Sequence, residues 1–155
     1  MDDTLRINTM DDVLAVVKVI GRKGAPDETF IAGFDDERCL QVVLPVDLGG
    51  NNLAEWIAAI GELTLPGEGL LVVSRRPVGD GPVDRPEDEE TWNHMVAACP
   101  SDGPVVLDWF VVAGRYAFSL AEFAQAPTGW DRWGIDFDLG KAPVPRRRRS
   151  SRGCH

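Results

Sequence analysis

Histidine is almost missing from this chain. Two occur in 155 residues, His94 and His155, so neither a paired-imidazole metal centre nor a Ser–His hydrolase triad finds its residues, and no G-x-S-x-G is present. Neither G-x-x-x-x-G-K-[ST] nor G-x-G-x-x-G occurs, which leaves nucleotide cradling without a motif. Cysteine is scarce and odd in number. Cys39, Cys99 and Cys154 lack metal-like spacing and read as free thiols in a reducing cytoplasm. No apolar run approaches the about 18 residues of a membrane span, and no charged-then-apolar leader opens the chain. The expectation is a cytoplasmic protein with no cofactor and no membrane partner.

What the chain has in excess is acid, unevenly placed. The net charge is −9, but residues 1–140 hold all 25 acidic residues against 10 Lys/Arg, a balance of −15. Residues 141–155 carry Lys141, Arg146, Arg147, Arg148, Arg149 and Arg152, which makes +6. An acidic body repels phosphate, so nucleic acid could be met only through this tail. Its Pro, Arg and Ser content predicts disorder. At this length and with 44% hydrophobic residues, residues 1–140 fit one domain with a single core.

The periodicities predict alternating helices and strands. Thr9 can cap a helix with Met10, Val13, Leu14, Val17 and Ile20 on one face, stopped by Gly21. Phe30–Phe34 and Cys39–Val46 read as a hairpin around Asp35-Asp36-Glu37-Arg38. A second helix starts at Asn51 or Asn52, with Leu53, Trp56, Ile57 and Ile60 on its apolar side. The strand Gly69–Val73 follows, then the loop 74–84 and a third helix from about Arg85 to Cys99, striped by Trp92, Met95, Val96 and Cys99. His94 lies off that stripe and is expected to be exposed. A longer strand, Pro104–Ala113, turns at Gly114-Arg115 into a short one, Tyr116–Ser119. This order implies an α/β domain, a mixed sheet with helices on both faces. In such sheets the loops leaving the carboxyl ends of strands tend to form the site, and loop 74–84 is one of them.

That loop, Ser74-Arg75-Arg76-Pro77-Val78-Gly79, resembles the zinc loop of JAB/MPN metalloproteases, in particular their RadC-like bacterial branch. In that family the strand exits into His-x-His-Pro-x-Gly, with Ser-x-x-Asp further on. The resemblance continues through Asp84-Arg85-Pro86-Glu87 and Thr91, through Val106-Leu107-Asp108-Trp109 where the family has Leu-Asp-His, and through Ser119-Leu120-x-Glu122. It covers about residues 28–123. It implies a three-layer α-β-α domain around a mixed sheet, of the cytidine-deaminase-like architecture.

The resemblance also marks what has been replaced. Ser74 and Arg76 stand at the two His positions, Asp84 at the Ser and Glu87 at the Asp. The family's general base aligns with Leu44, and its His after Leu-Asp with Trp109. Zinc chemistry needs neutral imidazoles, a carboxylate and a base near the bound water. Ser74 is a poor ligand, and Arg76 keeps its proton and repels a dication. Asp84 and Glu87 have the spacing of a capping box, with Pro86 tolerated in the first turn. Arg76, Asp84 and Glu87 could also form an ion-paired plug in the vacated pocket. No catalytic or metal-binding residue is therefore assigned, and Ser74, Arg76, Asp84 and Glu87 are read as a degenerate pocket.

Three functions stay open on these grounds. The first is an inactive JAB/MPN-like domain acting through contacts with a protein partner that the residues do not identify. The second is a metal-free enzyme or small-anion binder using Arg76 and Glu87. The third is DNA association through Arg146 to Arg149. Asp108 interrupts an apolar strand and needs a hydrogen-bond partner if buried, so it reads as a satisfied structural carboxylate. Asp35-Asp36 and Asp88-Glu89-Glu90 read as solvated charge, in a turn and on a helix face. Cys154 with His155 is not read as a metal site. Trp130, Trp133, Ile135, Phe137 and Leu139 are expected to fold back onto the sheet; otherwise they form an exposed aromatic patch.

Overall fold

The computed structural model describes residues 6–23, 28–46, 53–62, 68–76, 88–99, 103–114, 116–123 and 128–135. In chain order the elements are α1 (Met10–Lys23), β1 (Thr29–Phe34), β2 (Leu40–Val46), α2 (Leu53–Gly61) and β3 (Gly69–Arg75). They are followed by α3 (Asp88–Ala98), β4 (Val105–Ala113), β5 (Tyr116–Ser119), α4 (Leu120–Phe123) and a 3₁₀ turn, Trp130–Trp133. The tail Arg146–Arg149, together with Asp84, Glu87, Phe137, Leu139 and Cys154, lies outside the described residues.

The five strands form one mixed sheet in the order β2-β1-β3-β4-β5. β1 is antiparallel to both β2 and β3, β3 and β4 are parallel, and β5 returns antiparallel along β4. Alternation of side chains across the strands sends apolar residues to both faces, so helices must cover both. One face packs Phe34, Leu71, Val73, Leu107 and Phe110 against α1 and the 3₁₀ turn. The other packs Ile31, Leu70, Val72, Trp109 and Phe118 against Leu53 and Ile57 of α2 and Trp92 and Met95 of α3. The expected α/β class and mixed sheet are therefore observed.

Several local expectations need adjustment. Thr9 does start α1, and reciprocally: its Oγ1 accepts the Asp12 N–H at 3.2 Å, while Asp12 Oδ2 accepts the Thr9 N–H at 3.2 Å. Gly21 does not stop that helix, which runs on to Lys23. Gly21 is there for clearance: a Cβ would sit 2.6 Å from Val112 Cγ2, so α1 crosses β4 with no room for a side chain. On α3, Val96 is exposed at 44% and leaves the buried stripe to Trp92 and Met95.

β2 forms one edge of the sheet and is under-covered. Val42 and Leu44 are 44% and 38% exposed, and Leu44 pairs with Ile31. At the other end the hairpin turn is held from two sides. Ile7 N–H donates to the Arg38 carbonyl at 3.0 Å, and Arg38, in the left-handed region at φ 70°, donates from Nη2 to the Trp133 carbonyl and lies over the Trp133 ring. Trp130, Trp133 and Ile135 are all buried. The aromatic segment, as far as it is described, folds back on its own sheet and is no exposed patch.

Candidate functional site

β3 is buried throughout except at Arg75, and the chain leaves it at Arg76, whose N–H donates to the Val112 carbonyl at 2.9 Å. Ser74 is therefore a strand residue and not the first residue of a loop. The register puts Thr29 of β1 opposite Ser74, and Val72, two residues earlier, beside Trp109 of β4. Leu44, opposite Ile31 and so in the row that continues to Val72 and Trp109, shares that sheet face. The positions singled out on β2, β3 and β4 thus converge on one face, the face covered by α2 and α3.

The polar groups there are bonded to one another. Ser74 Oγ shares a 2.8 Å hydrogen bond with Thr29 Oγ1 and accepts the Trp109 indole N–H at 2.9 Å. Ser74 is 3% exposed and Thr29 4%. Burying hydroxyls without partners is costly, and this mutual bonding removes that cost. A serine nucleophile needs a base to take its proton. This one has an indole N–H and another hydroxyl instead.

Arg76 points at the start of α3. Its Nη1 and Nη2 donate to Asp88 Oδ2 and Oδ1, each at 2.8 Å, a bidentate fork between side chains 7% and 5% exposed. The guanidinium also lies 5.5 Å from the centre of the Trp109 ring. Arg76 is thus ion-paired with Asp88; Asp84 and Glu87, the carboxylates expected beside it, lie outside the described residues. The reading of Asp88 as solvated charge is corrected: it is the first described residue of α3 and 4% exposed. Glu89 and Glu90 are exposed, as read. The signal was present in the spacing, since 88, 92 and 95 fall on one helix face. A carboxylate at a helix N-terminus also suits the positive end of the helix dipole.

A second buried carboxylate lies on the opposite face of the sheet. Asp108 is wholly buried. Its Oδ1 accepts the Trp109 N–H at 2.7 Å and the Ser119 hydroxyl at 2.8 Å, and its Oδ2 accepts the Trp130 indole N–H at 2.8 Å. The satisfied structural Asp expected from the sequence is what the structure contains. Burial pushes its carboxyl up to about 7, against the pull of those three bonds and with a further push from Glu122. Cys99 donates to the Pro104 carbonyl at 3.2 Å, and burial raises its thiol above the ordinary range, which disfavours a thiolate nucleophile. His94 is exposed. Among the described residues no three His, Cys, Asp or Glu side chains gather as a metal-binding group, and no helix is long and apolar enough to cross a membrane.

Comparison with protein-family models, curated proteins and solved structures finds no match to this chain.

Proposed function

We propose that this chain is a degenerate JAB/MPN-like domain of the RadC-like branch, without zinc chemistry, that works through protein–protein contacts. One observation carries the reading. At the position of the second family histidine, Arg76 sits in a buried bidentate pair with Asp88, so a permanent cation and its own counter-ion occupy the ground a metal would need. The neighbouring histidine position, Ser74, is committed to Thr29 and Trp109. The order and facing of Leu44, Ser74, Arg76 and Trp109 support the resemblance, because those are the places where the family keeps its base and its imidazoles.

The same pair weighs against an anion-binding pocket. A guanidinium whose fork is matched to a carboxylate at 2.8 Å must surrender that partner before it takes a substrate anion, and removing one partner of a buried pair is expensive.

Zinc binding tests the proposal. The full chain, titrated with zinc against a chromophoric chelator, should take up no stoichiometric ion, and its thermal midpoint should not move. The variant Ser74→His/Arg76→His/Trp109→His should gain a zinc-dependent rise in that midpoint, with Asp88 available as an oxygen ligand. The double variant that keeps Trp109 should not, because the indole stays in the space the new rings need. A stoichiometric zinc site in the natural chain would overturn the proposal, and a triple variant indifferent to zinc would overturn the JAB/MPN resemblance.

A further inference from the structure

β2 is the outermost strand on its side of the sheet. Its outer side is met only near its start, where Arg6 bridges Cys39 and the Ile7 N–H donates to the Arg38 carbonyl. Beyond that point, among the described residues, no strand or bridge lies along it. The register fixes which groups it offers. The Arg75 N–H donates to the Glu28 carbonyl at 2.8 Å, so Glu28 turns its backbone toward β3, and Thr29, Ile31 and Gly33 turn theirs toward β2. Their partners Val46, Leu44 and Val42 face β1 in return. Val43 and Pro45 therefore direct their backbone outward. Pro45 has no N–H to donate, which suits an edge. Val43 offers both an N–H and a carbonyl.

The side chains divide between the two faces. Val43 packs against the core on the α1 side. Val42 and Leu44 lie on the α2/α3 side and are 44% and 38% exposed. Across the ladder from Val42 stands Gly33, with no side chain to cover it. Gln41 and Pro45 are exposed as well, so β2 shows solvent no charged side chain. The body around it, residues 1–140, carries −15.

We propose that β2 is the interface of a homodimer, in which two copies pair antiparallel along this edge about a two-fold axis at Val43. At the axis the Val43 N–H of each copy donates to the Val43 carbonyl of the other. That register sets Val42 of one copy directly opposite Leu44 of the second, twice over, in the close non-hydrogen-bonded pairs of the ladder. Each exposed apolar side chain thus gains the cover that its own chain lacks. Pairing of identical surfaces about a two-fold axis closes on itself. Pro45 and the register shift at Gly33/Phe34 keep the new ladder short.

Charge favours a second copy in this direction. Bodies of like charge repel, and an uncharged edge lets two of them approach with least repulsion. Antiparallel pairing also parts the acidic turns at Asp35-Asp36-Glu37. Asp36 precedes Val43 by seven residues, about 23 Å of strand. The two turns then lie about 45 Å apart, several screening lengths of about 8 Å. A single strand edge is smaller than the about 1,200 Å² that stable interfaces bury at least, so the dimer is reversible and forms in the micromolar range. It gives the protein–protein reading a partner which that reading leaves unnamed. It rests on the edge alone, whether or not the domain is JAB/MPN-like, so its failure leaves the zinc result standing.

Sedimentation equilibrium of the full chain tests this, from about 1 to about 300 μM at physiological salt. The natural chain should pass reversibly from monomer to dimer. Val42→Lys/Leu44→Lys and Val42→Glu/Leu44→Glu should each weaken dimerisation more than about tenfold, because like charges then meet across the axis. Mixed in equal amounts, the two variants should dimerise again, since every Lys then faces a Glu. Should either fail to fold, Val42→Glu mixed with Leu44→Lys makes the same comparison with one charge per chain. A natural chain that stays monomeric overturns the proposal, and a dimer appearing only when residues 2–5 are removed overturns it in favour of the chain's own N-terminal residues. A dimer that both double variants retain overturns it as well, because the contact then lies elsewhere. Variants that are each monomeric and do not combine refute the register.

Discussion

Arg76 and Asp88 are the strongest test of the physical account, because burial reverses what such a pair does to stability. With side chains 7% and 5% exposed, both charges have left water, and each depends on the other. Removing one side chain takes away the other's bidentate counter-ion in a buried site, at a cost of about 3–5 kcal/mol. Replacing both by apolar groups of similar volume is expected to be near neutral. Urea unfolding followed by tryptophan fluorescence at pH 7 should therefore give Arg76→Met and Asp88→Asn midpoints far below the natural chain. Arg76→Met/Asp88→Leu should recover most of the loss, a coupling of about 3 kcal/mol or more. Raising the salt from 0.1 to 1 M should scarcely alter the natural chain's dependence on the pair, since buried charges are poorly screened. Single variants costing under about 1 kcal/mol would mean an exposed, solvent-screened bridge. Single losses that simply add in the double variant would mean that the two side chains do not depend on each other. Either result refutes the plugged pocket.

Three further outcomes follow from named contacts. Ser74→Ala strands the Thr29 hydroxyl and the Trp109 indole N–H in a buried site and should cost about 1–3 kcal/mol in urea unfolding, whereas Ser74→Thr tests whether a hydroxyl alone suffices. Gly21→Ala places a methyl 2.6 Å from Val112 Cγ2; the overpacking penalty of about 1–3 kcal/mol should outweigh the helix-propensity gain of about 1, and Val112→Ala in the same chain should relieve it. Trp130→Ala removes a fully buried ring and a donor to Asp108, so a loss of about 3–5 kcal/mol is expected, against a smaller loss for Trp130→Phe.

Most of the architecture was legible because strands and helices here obey their periods. β5 runs from Tyr116 to Ser119 and β4 ends at Ala113, as the apolar runs and the Gly114 turn imply. What misled was reading local chemistry without its tertiary partner. Gly21 has the signature of a helix stop, but the closeness of Val112, far along the chain, decides its role. Asp88 belongs to an acidic triplet, and charge runs are usually solvated. Its place four residues before Trp92 was the better guide. Asp84 and Glu87, the other half of the degenerate pocket, lie outside the described residues, so the site as described rests on Ser74, Arg76, Asp88 and Trp109. The β3–β4 register passes from Leu70↔Val106 to Leu71↔Asp108, so Leu107 is bulged, and nothing in Val-Val-Leu-Asp-Trp tells which residue the ladder will skip.

The two buried carboxylates lie on opposite faces of the sheet, and each is held by partners within the fold. Asp88 is neutralised by a guanidinium, and Asp108 is enclosed by an amide, a hydroxyl and an indole. A general base must reach a substrate proton within hydrogen-bond distance, and each of these groups would first have to give up bonds to the fold itself. Among the described residues, both buried carboxylates are thus committed to the fold. The surface, by contrast, keeps an uncharged edge strand with Val42 and Leu44 exposed, and edge strands of that composition are places where other chains pair or pack. On the proposed protein–protein reading, that edge is the first surface to probe for a partner.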